Sequence, residues 1–582
     1  MDTIIFKCQL ELVYFLALLV ASYFSYLVLS TSFYTSLLIC IYTFKRKFYQ
    51  IISRAYQNLF LLIPSNLSIN DTKSLMDIPQ ITVTGPAAPS RPKEARGKAL
   101  RQVLAAFVAN LGTINTGLVF GFSAVVVPQL EAPDSVIKID EFQASWVASL
   151  SSASTPLGCI LGGYLMDCIG RRLTLIFTEI PLIMGWILIA SAQNIEMIYV
   201  GRLLVGLGSG MVGAPARVYT CEVTQPHLRG MLGALASVGI SLGVLIQYVM
   251  GSFLTWQVLS SISCVVPVIS LLLMMIMPET PNYLISRNDP EKARTSLAKL
   301  RGSTFNVNKE LDQMLLFKET NNVQRLSGFR ETLKALLSPS ALKPFGILFL
   351  YFMMYQFSGV NTITFYAVEI FQQSGTQMNK YLATIILGIV RLVFTIIACI
   401  ALRKCGRRPL TFISGIGCGI TMLGLGTYLY YRQYWLANNI VPQQTWIPAA
   451  CIFAYTIACT MGFLVVPWVM IGEVYPTQVR GIVGGMTTCS AHLFVFIVVK
   501  TYPFLSHQLE RHGTFWLYGV ISLLGTIFFY YCLPETKGKT LQEIEDYFCG
   551  RTLTLSNKKS PTIKSPSVKP TLLTVEKGQL LP

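Results

Sequence analysis

The chain has 582 residues, of which 53% are hydrophobic and only 13% are charged, and its formal net charge is +18. A soluble globular protein carries about 25% charged residues, so this composition argues against a soluble protein. The positive charge does not indicate nucleic-acid binding, because the lysines and arginines lie between apolar runs, in the first hundred residues and in the tail.

The first segment, residues 1–98, is hydrophobic at its start and polar at its end. No charged residue occurs from Leu12 to Phe44. This run is too long for the apolar part of a signal peptide, and no small-residue cleavage site follows it. We expect an N-terminal hydrophobic appendage and linker without a functional site. An extra membrane helix, an uncleaved anchor and a wrongly predicted gene start are the alternatives.

Apolar runs of about 20 residues follow, and each is long enough to cross a hydrocarbon core as a helix. Strands are a poor interpretation, because barrel strands alternate polar and apolar residues. An N-terminal bundle, residues 99–279, is predicted to contain six helices, near 102–127, 142–166, 172–191, 197–219, 229–251 and 257–277. A C-terminal bundle, residues 341–533, is predicted to contain six more, near 343–371, 380–402, 410–431, 447–472, 481–502 and 513–533.

The segment between the two bundles, residues 280–340, is polar and helix-prone. Eleven basic residues occur from Arg287 to Lys343, and such an excess is typical of cytoplasmic loops. We therefore expect a cytoplasmic helical linker here and a cytoplasmic tail over residues 534–582, of which the last part is rich in Ser, Thr, Lys and Pro and predicted to be disordered.

Three charged motifs occur twice in the same order, about half a chain apart. The matching pairs are residues 167–172 with 403–408, Glu222 and Arg229 with Glu473 and Arg480, and residues 278–280 with 534–536. Two such halves in lipid-compatible sequence are typical of a secondary transporter.

The charged residues of these motifs are interpreted as a cytoplasmic gate. Each exposed ion pair contributes only about 0–1 kcal/mol, so a network of them biases a two-state equilibrium without locking it. The alternative is that they cap helices and fix the topology. The predicted gate residues are Asp167, Arg171, Arg172, Glu222, Arg229, Arg407, Arg408, Glu473 and Arg480.

A glycine-rich run follows Arg202, but no strand precedes it and no phosphate-binding GK[ST] follows. We expect Gly206, Gly208, Gly210 and Gly213 to allow close helix packing, and Arg202 to face the bundle interior.

Residues 355–364 are unusually polar for a membrane helix. Gln356, Asn361 and Thr364 are expected on one side of a broken or kinked helix. Amides donate and accept hydrogen bonds, which suits an uncharged hydroxylated ligand, although they also bond neighbouring helices. Trp468, which follows Pro467, offers an aromatic face to a sugar ring, but Trp is also common at membrane interfaces.

Together these motifs resemble the sugar porter family of the major facilitator superfamily, and within it the insect facilitated trehalose transporter-like group. The resemblance covers about residues 100–545 and includes the closing PETKGKTLQEIE at 534–545. It implies an all-α membrane protein with the major facilitator fold: two pseudo-symmetric six-helix bundles plus cytoplasmic helices, and a sugar cavity between the bundles.

The chain departs from the family at the sugar site. Tyr355 replaces the first residue of a Gln-Gln pair, Arg391 replaces an eighth-helix Asn, and His492 lies in place of an eleventh-helix Trp. The tenth-helix GPGPxPW is reduced to residues 462–468. The predicted substrate-contact residues are therefore Gln356, Asn361 and Trp468, with Tyr355, Arg391 and His492 reshaping the cavity.

Arg391 is the least expected of these residues. An unpaired charge at this depth costs at least ~2.5–3.5 kcal/mol, so we expect it to have a partner or to contact water. Glu179 is a candidate acidic partner for Arg391 or for a second unusual base, Arg217. Contact between Arg391 and an anionic substrate, and loss of transport, remain as alternatives.

The predicted function is facilitative transport of a sugar, a hexose or trehalose, by alternating access. Proton-linked members of the family carry a first-helix Asp where this chain has Ser123, so we expect a uniporter such as a glucose or trehalose carrier. A proton-coupled symporter and a non-transporting sugar sensor are the alternatives. No nucleophile–base or metal constellation indicates an enzyme, a metal site or a cofactor.

The tail contains Glu576, Leu580 and Leu581 in the spacing of an acidic dileucine signal. Such signals are read by receptors, so a sorting adaptor is a candidate partner beside the sugar and the lipid bilayer. We expect a multi-pass protein of the plasma membrane, with the endosomal or lysosomal membrane as the alternative.

Overall fold

A computed structural model describes residues 99–133, 135–225, 228, 232–302, 305–320, 335–476, 479–539 and 541–549. Within these residues the chain forms helices and no strand. The predicted N-terminal appendage, Arg229 of the predicted gate, and the sorting signal with the tail from residue 550 onwards lie outside the described residues.

The first eight helices form the N-terminal half. They are α1 (Ala99–Ala109), α2 (Leu111–Leu130), α3 (Glu141–Cys168), α4 (Arg171–Ala190), α5 (Ile195–Val223), α6 (Leu235–Gly251), α7 (Trp256–Ser263) and α8 (Val265–Ile276). The pair α1 and α2 forms one candidate membrane span, and α7 with α8 forms another. The half therefore has the six predicted spans.

Three short helices connect the halves: α9 (Pro281–Ser286), α10 (Pro290–Arg301) and α11 (Val307–Thr320). They pack on one another through a small apolar cluster of Ile285, Ala293, Leu297 and Leu311. Arg301, which is almost fully buried, holds Glu310 at 2.8 Å and the carbonyl of Val223 at 2.6 Å. The connecting segment is thereby fixed to the end of α5.

The C-terminal half repeats the six spans, and two of these spans are divided into shorter helices. Its helices are α12 (Pro339–Phe357), α13 (Val360–Phe365), α14 (Ala367–Ser374), α15 (Lys380–Lys404), α16 (Arg407–Ala437), α17 (Ile447–Met461), α18 (Val466–Val474), α19 (Arg480–Gln508) and α20 (Glu510–Cys532). The segments α12–α14 and α17–α18 are each one broken span. A final helix, α21 (Leu541–Phe548), follows the last span.

All twelve predicted spans coincide with helices, and the boundaries differ by a few residues. Nine helical segments of the described residues are long and apolar enough to cross a membrane. The other three spans are the serine-rich α3, the 17-residue α6 and the broken α12–α14. Large apolar side chains such as Leu272, Ile400 and Ile413 are more than half exposed on the outer surface, where a bilayer covers them. The protein is therefore a multi-pass membrane protein.

Several helices begin at capping residues that the sequence shows. Asp140 precedes α3, and its carboxylate accepts a hydrogen bond of 2.6 Å from the Gln143 amide while the Gln143 side chain accepts one from the Asp140 amide. Asn194 caps α5 in a similar way through the Met197 amide, at 3.1 Å. Such caps satisfy N–H groups that lack a partner within the helix.

The two halves meet mainly along two seams, α3 against α19 and α6 against α15, and α2 also packs on α13 and α14. In the first seam Lys500 donates to the Ser145 hydroxyl at 2.6 Å, and the Cys489 thiol lies 3.5 Å from the Pro156 carbonyl oxygen. In the second, the hydroxyls of Ser241 and Thr395 are 2.9 Å apart. Both seams thus combine close helix packing with hydrogen bonds, the usual means of joining helices in lipid.

Glycines allow α5 to pack closely against its neighbours. A Cβ atom on Gly206 or Gly210 would collide with carbonyl oxygens of α3, and one on Gly208 would collide with Leu182 of α4. The packing role predicted for these three glycines is confirmed. For Gly213 the prediction is wrong, because its Cβ would meet open space.

This difference within one glycine run gives a matched test. We expect Gly206→Ala to destabilise the protein by about 1–3 kcal/mol, because the added methyl group forces α3 away from α5. Gly213→Ala should be neutral or slightly stabilising, since Ala is the better helix former by roughly 0.5–1 kcal/mol. Melting temperatures of the two purified variants in the same detergent check this. Equal effects of the two substitutions would contradict the packing described here.

Candidate functional site

The polar segment of the seventh span is broken, as the sequence predicts. The break lies between α12 and α13 at Gly359, whose φ of 93° is in the left-handed region that favours glycine. Ser358 donates to the Tyr355 carbonyl at 2.7 Å, and the Tyr455 hydroxyl donates to the Ser358 carbonyl at 3.0 Å. The backbone groups that the break exposes therefore have side-chain partners.

The two amide side chains of this segment bind each other. The Asn361 amide donates to the Gln356 side-chain oxygen, and both residues are at least 95% buried. Tyr355 beside them is buried as well. None of the three is among the described residues that line the central cavity. In this conformation the amides thus hold the two parts of the broken helix together.

A narrow cavity, part of it open to solvent, lies where the halves meet. Tyr248 of α6 lines it from the N-terminal half, and Thr364, Arg391 and Tyr455 line it from the C-terminal half. The Tyr248 hydroxyl donates to the Thr364 carbonyl at 2.6 Å, which joins the halves at this point. The cavity is therefore at the junction that a transport pathway has to cross.

Arg391 lies near the middle of α15 and is 7% exposed. Its Nη1 donates to the Thr364 hydroxyl at 2.7 Å. The expected ion pair with Glu179 is wrong, because Glu179 faces α8 inside the N-terminal half, where it accepts a hydrogen bond of 2.7 Å from Ser270. Arg391 instead faces the seam between the halves.

Trp468 and His492 form a separate group with Arg217. The guanidinium carbon of Arg217 is 5.1 Å from the centre of the Trp468 ring, and the ring centres of Trp468 and His492 are 5.8 Å apart. A cation over an indole face is favourable, so Arg217 is stabilised by stacking rather than by Glu179. The structure thus separates the predicted substrate contacts into an amide pair, Arg391 in the cavity, and this aromatic group.

Arg202 faces the bundle interior, as predicted, and is fully buried. It donates to the carbonyls of Val119, Val147 and Ala148 and to the hydroxyls of Ser123 and Ser151, the latter at 2.6 and 2.9 Å. Its partners are carbonyl and hydroxyl oxygens, which do not change charge near neutral pH.

The predicted gate residues of the N-terminal half gather at one end of the bundle. Arg171 lies 3.2 Å from Glu222 and 3.9 Å from Asp167. Arg172 donates through its guanidinium to the Met275 carbonyl at the end of α8, at 2.5 Å. The backbone amides of both arginines donate to the Glu279 carboxylate at 3.1 Å.

The C-terminal half repeats this arrangement. Arg407 lies 2.5 Å from Glu473, and the amides of Arg407 and Arg408 donate to the Glu535 carboxylate at 3.0 and 3.1 Å. Arg408 donates to the Tyr530 carbonyl near the end of α20 at 2.6 Å. The hydroxyl of Thr536 donates to Glu473, also at 2.6 Å. We call the end of the molecule that carries both clusters the motif face.

Glu279 and Glu535 are not among the predicted gate residues. The duplicated Pro-Glu-Thr sequence in which they lie is the signal by which they could have been found. Each carboxylate caps the first turn of the third span of its half, where free N–H groups and the helix dipole favour an anion. A Cβ atom on Gly170 or Gly406 would collide with that carboxylate. This close approach explains the glycine that precedes each Arg-Arg pair.

Among the described residues, every ion pair of the two clusters lies within one half. Arg480 donates to the Tyr475 carbonyl of its own half at 3.0 Å. Each cluster therefore connects the second, third, fourth and sixth spans of one half. Contact across the motif face between the halves stays a prediction.

These caps provide a second test. We expect Glu279→Ala and Glu535→Ala each to lower the free energy of unfolding by about 1–2 kcal/mol, because the capped amides lose their acceptor. Asp312→Ala, which removes an exposed carboxylate from α11 beyond its first turn, is the control and should change it by less than about 0.5 kcal/mol. Thermal unfolding in detergent measures all three. A Glu279→Ala protein as stable as the control would show that the cap contributes nothing.

Comparisons with known proteins agree with this architecture. The family model described as "Sugar (and other) transporter" matches residues 104–548. The chain is 34% identical over 445 residues to a facilitated trehalose transporter Tret1 of Bombyx mori, covering 76% of this chain and 86% of that protein. It is also 34% identical over 475 residues to a Tret1 of Apis mellifera ligustica, covering 80% and 93%.

Among solved structures, the inward open conformation of the xylose transporter XylE from E. coli is similar in fold. The TM-score is 0.62 at 23% identity, over 76% of this chain and 98% of the XylE chain. The family match extends over both halves and both charged clusters. The chain therefore belongs to the sugar transporter family of the major facilitator superfamily, whose members are membrane transporters and not enzymes.

Proposed function

We propose that this sugar transporter carries a hexose or trehalose down its gradient, with the two halves alternately exposing the central cavity. The observation that supports this most directly is the cavity itself, which is lined by Tyr248 from one half and by Arg391 and Tyr455 from the other. A site shared by two bodies changes its access when the bodies rock against each other. The trehalose named for the Bombyx and Apis relatives makes it the first sugar to test.

Away from the motif face, aromatic and basic side chains of the two halves contact each other. The Nζ atom of Lys500 lies 3.9 Å from the centre of the Trp146 ring and 4.3 Å from that of Phe142. The rings of Phe120 and Phe365, which also belong to different halves, are 5.4 Å apart. We infer that these contacts separate when the motif face closes, so that only one end admits the sugar at a time.

The charged clusters contribute by making each half rigid, and we propose that the motif face also acts as the gate. Glu279 and Glu535 fix the third spans, while Glu222 and Glu473 fix the arginines. When the halves approach at this face, the exposed Asp167 and the outer atoms of Arg172 and Arg408 come near the other half. Pairs formed there are weak individually, which suits a reversible contact.

Gln356, Asn361 and Trp468 remain the proposed contacts for sugar hydroxyls and ring faces. In the present conformation the two amides bind each other, so a sugar has to replace that hydrogen bond. This exchange is inexpensive, because the sugar hydroxyls supply both a donor and an acceptor. Tyr355, next to the amide pair, and His492, next to Trp468, are proposed to orient these contacts.

We place the motif face in the cytoplasm. The basic linker is attached there, through the bond from Arg301 to the end of α5, and loops rich in basic residues are typically cytoplasmic. The domain boundaries that follow are 99–279 and 341–533 for the two bundles, 280–340 for the linker and 534–582 for the tail. The plasma membrane is the proposed location. A sorting adaptor that binds Glu576, Leu580 and Leu581 would move the protein to endosomal or lysosomal membranes.

Counterflow in proteoliposomes tests the function. Protein-containing vesicles preloaded with unlabelled trehalose or glucose should transiently accumulate the same sugar in labelled form. Vesicles of the same lipids without the protein should not. A panel that adds xylose, fructose and sucrose defines the substrate. Binding of a sugar without any flux would favour the sensor and overturn the transport proposal.

Uptake should be independent of a proton gradient. Ser123, which contacts Arg202, has no titratable proton near neutral pH, so the first span has no proton site to couple to the sugar. We expect initial rates of sugar uptake to stay within about twofold when a protonophore dissipates an imposed proton gradient at constant sugar gradient. Collapse of uptake under the protonophore would instead establish a symporter.

A further inference from the structure

Arg391 carries a charge that the rest of the protein does not neutralise. Among the described residues it forms no ion pair, and its Nε atom is buried without a hydrogen-bond partner. Glu179 and Glu369, two acidic residues inside the spans, have other partners, Ser270 and Gln373 respectively. An anion that enters the cavity would therefore meet a guanidinium without a counter-ion among the described residues.

The cavity wall is mainly apolar, and its few polar groups are acceptors except at Arg391. The hydroxyl protons of Tyr248 and Tyr455 are donated to backbone carbonyls, and those of Thr456 and Thr460 are donated one turn back along α17. Their oxygen lone pairs remain to accept hydrogen bonds from a ligand. Arg391 alone is charged among the described residues that line the cavity, and it supplies the uncommitted N–H.

A ligand that complements this wall has several hydroxyl groups and one anionic oxygen. Hydroxyl groups donate to the tyrosine and threonine oxygens, and the anionic group accepts from the guanidinium. A neutral sugar would leave the buried charge unbalanced, whereas an anion pairs with it by charge-assisted hydrogen bonds.

The number of cations favours a carboxylate over a phosphate. A phosphate monoester carries a charge of about −1.5 to −2 at neutral pH, and a single guanidinium does not balance it. Arg217, the second unusual base of the spans, is stacked on Trp468 and is not among the described residues that line the cavity. A carboxylate carries one charge and matches the two-pronged geometry of a guanidinium.

We propose that Arg391 makes this cavity a site for sugar acids, so that a hexuronate binds more tightly than the corresponding neutral hexose. The inference rests on the proposed function in that it assigns a substrate class to the same cavity. It does not require the Trp468 group or the motif face.

Binding to the purified full chain in detergent tests the assignment at fixed ionic strength. The ligands are glucuronate, glucose and glucose 6-phosphate, and the proteins are wild type, Arg391→Gln, Arg391→Lys and the control Arg432→Gln, which changes an arginine outside the cavity. We expect Arg391→Gln to weaken glucuronate binding by about 10- to 100-fold, as for loss of hydrogen bonds to a charged group. Arg391→Lys should retain part of the preference, and Arg432→Gln all of it.

Three results would overturn the proposal. Wild-type protein that binds glucuronate no more tightly than glucose excludes a sugar-acid site, and this comparison does not depend on any variant folding. An equal loss of glucose and glucuronate binding in Arg391→Gln gives the residue a purely structural role. Tighter binding of glucose 6-phosphate than of glucuronate assigns the site to phosphates.

Counterflow separates this inference from the proposed function. If labelled glucose or trehalose exchanges but glucuronate neither binds nor competes, the sugar-acid assignment fails and transport stands. If glucuronate binds through Arg391 and no sugar crosses the membrane, transport fails and the site stands.

Discussion

The architecture depends on one interaction that occurs twice, a glutamate carboxylate placed on the first turn of the third span of each half. Glu279 and Glu535 lie just after the sixth span of their halves. Each carboxylate therefore connects the end of the sixth span to the start of the third. The helix dipole and the free amides make this position favourable for an anion, and the preceding glycine makes room for it. With the ends of four spans connected in this way, each half behaves as one body, and relative motion is confined to the seams.

The seams have a different composition from the clusters. They rely on small residues and single hydrogen bonds, such as those between Ser241 and Thr395 and between Tyr248 and Thr364. Each such bond contributes only about 0.5–1.5 kcal/mol net. A boundary of this kind separates and reforms without disturbing the interior of either body. Strong contacts inside the halves and weak contacts between them are what alternating access requires.

Much of the fold follows from the sequence, because the length of an apolar run and a repeated motif are local signals. The twelve spans, the break near Gly359 and the buried Arg202 were predictable in this way. Side-chain partners were not, since they depend on which face of a helix meets which neighbour. Glu179 and Arg391 are both charges within apolar runs, yet Glu179 faces the inside of its own half and Arg391 faces the cavity at the seam. The grouping of Arg217 with Trp468 and His492 likewise results from the crossing of three helices.

Lys500 shows how the chain closes one end without an acidic residue. Its ammonium group lies against two aromatic rings and a serine hydroxyl, and no carboxylate within the described ranges pairs with it. Breaking a buried ion pair leaves two uncompensated charges, which is costly in free energy. The contact at Lys500 separates without leaving a carboxylate that has lost its partner, so the two halves come apart at this point more readily than across a salt bridge.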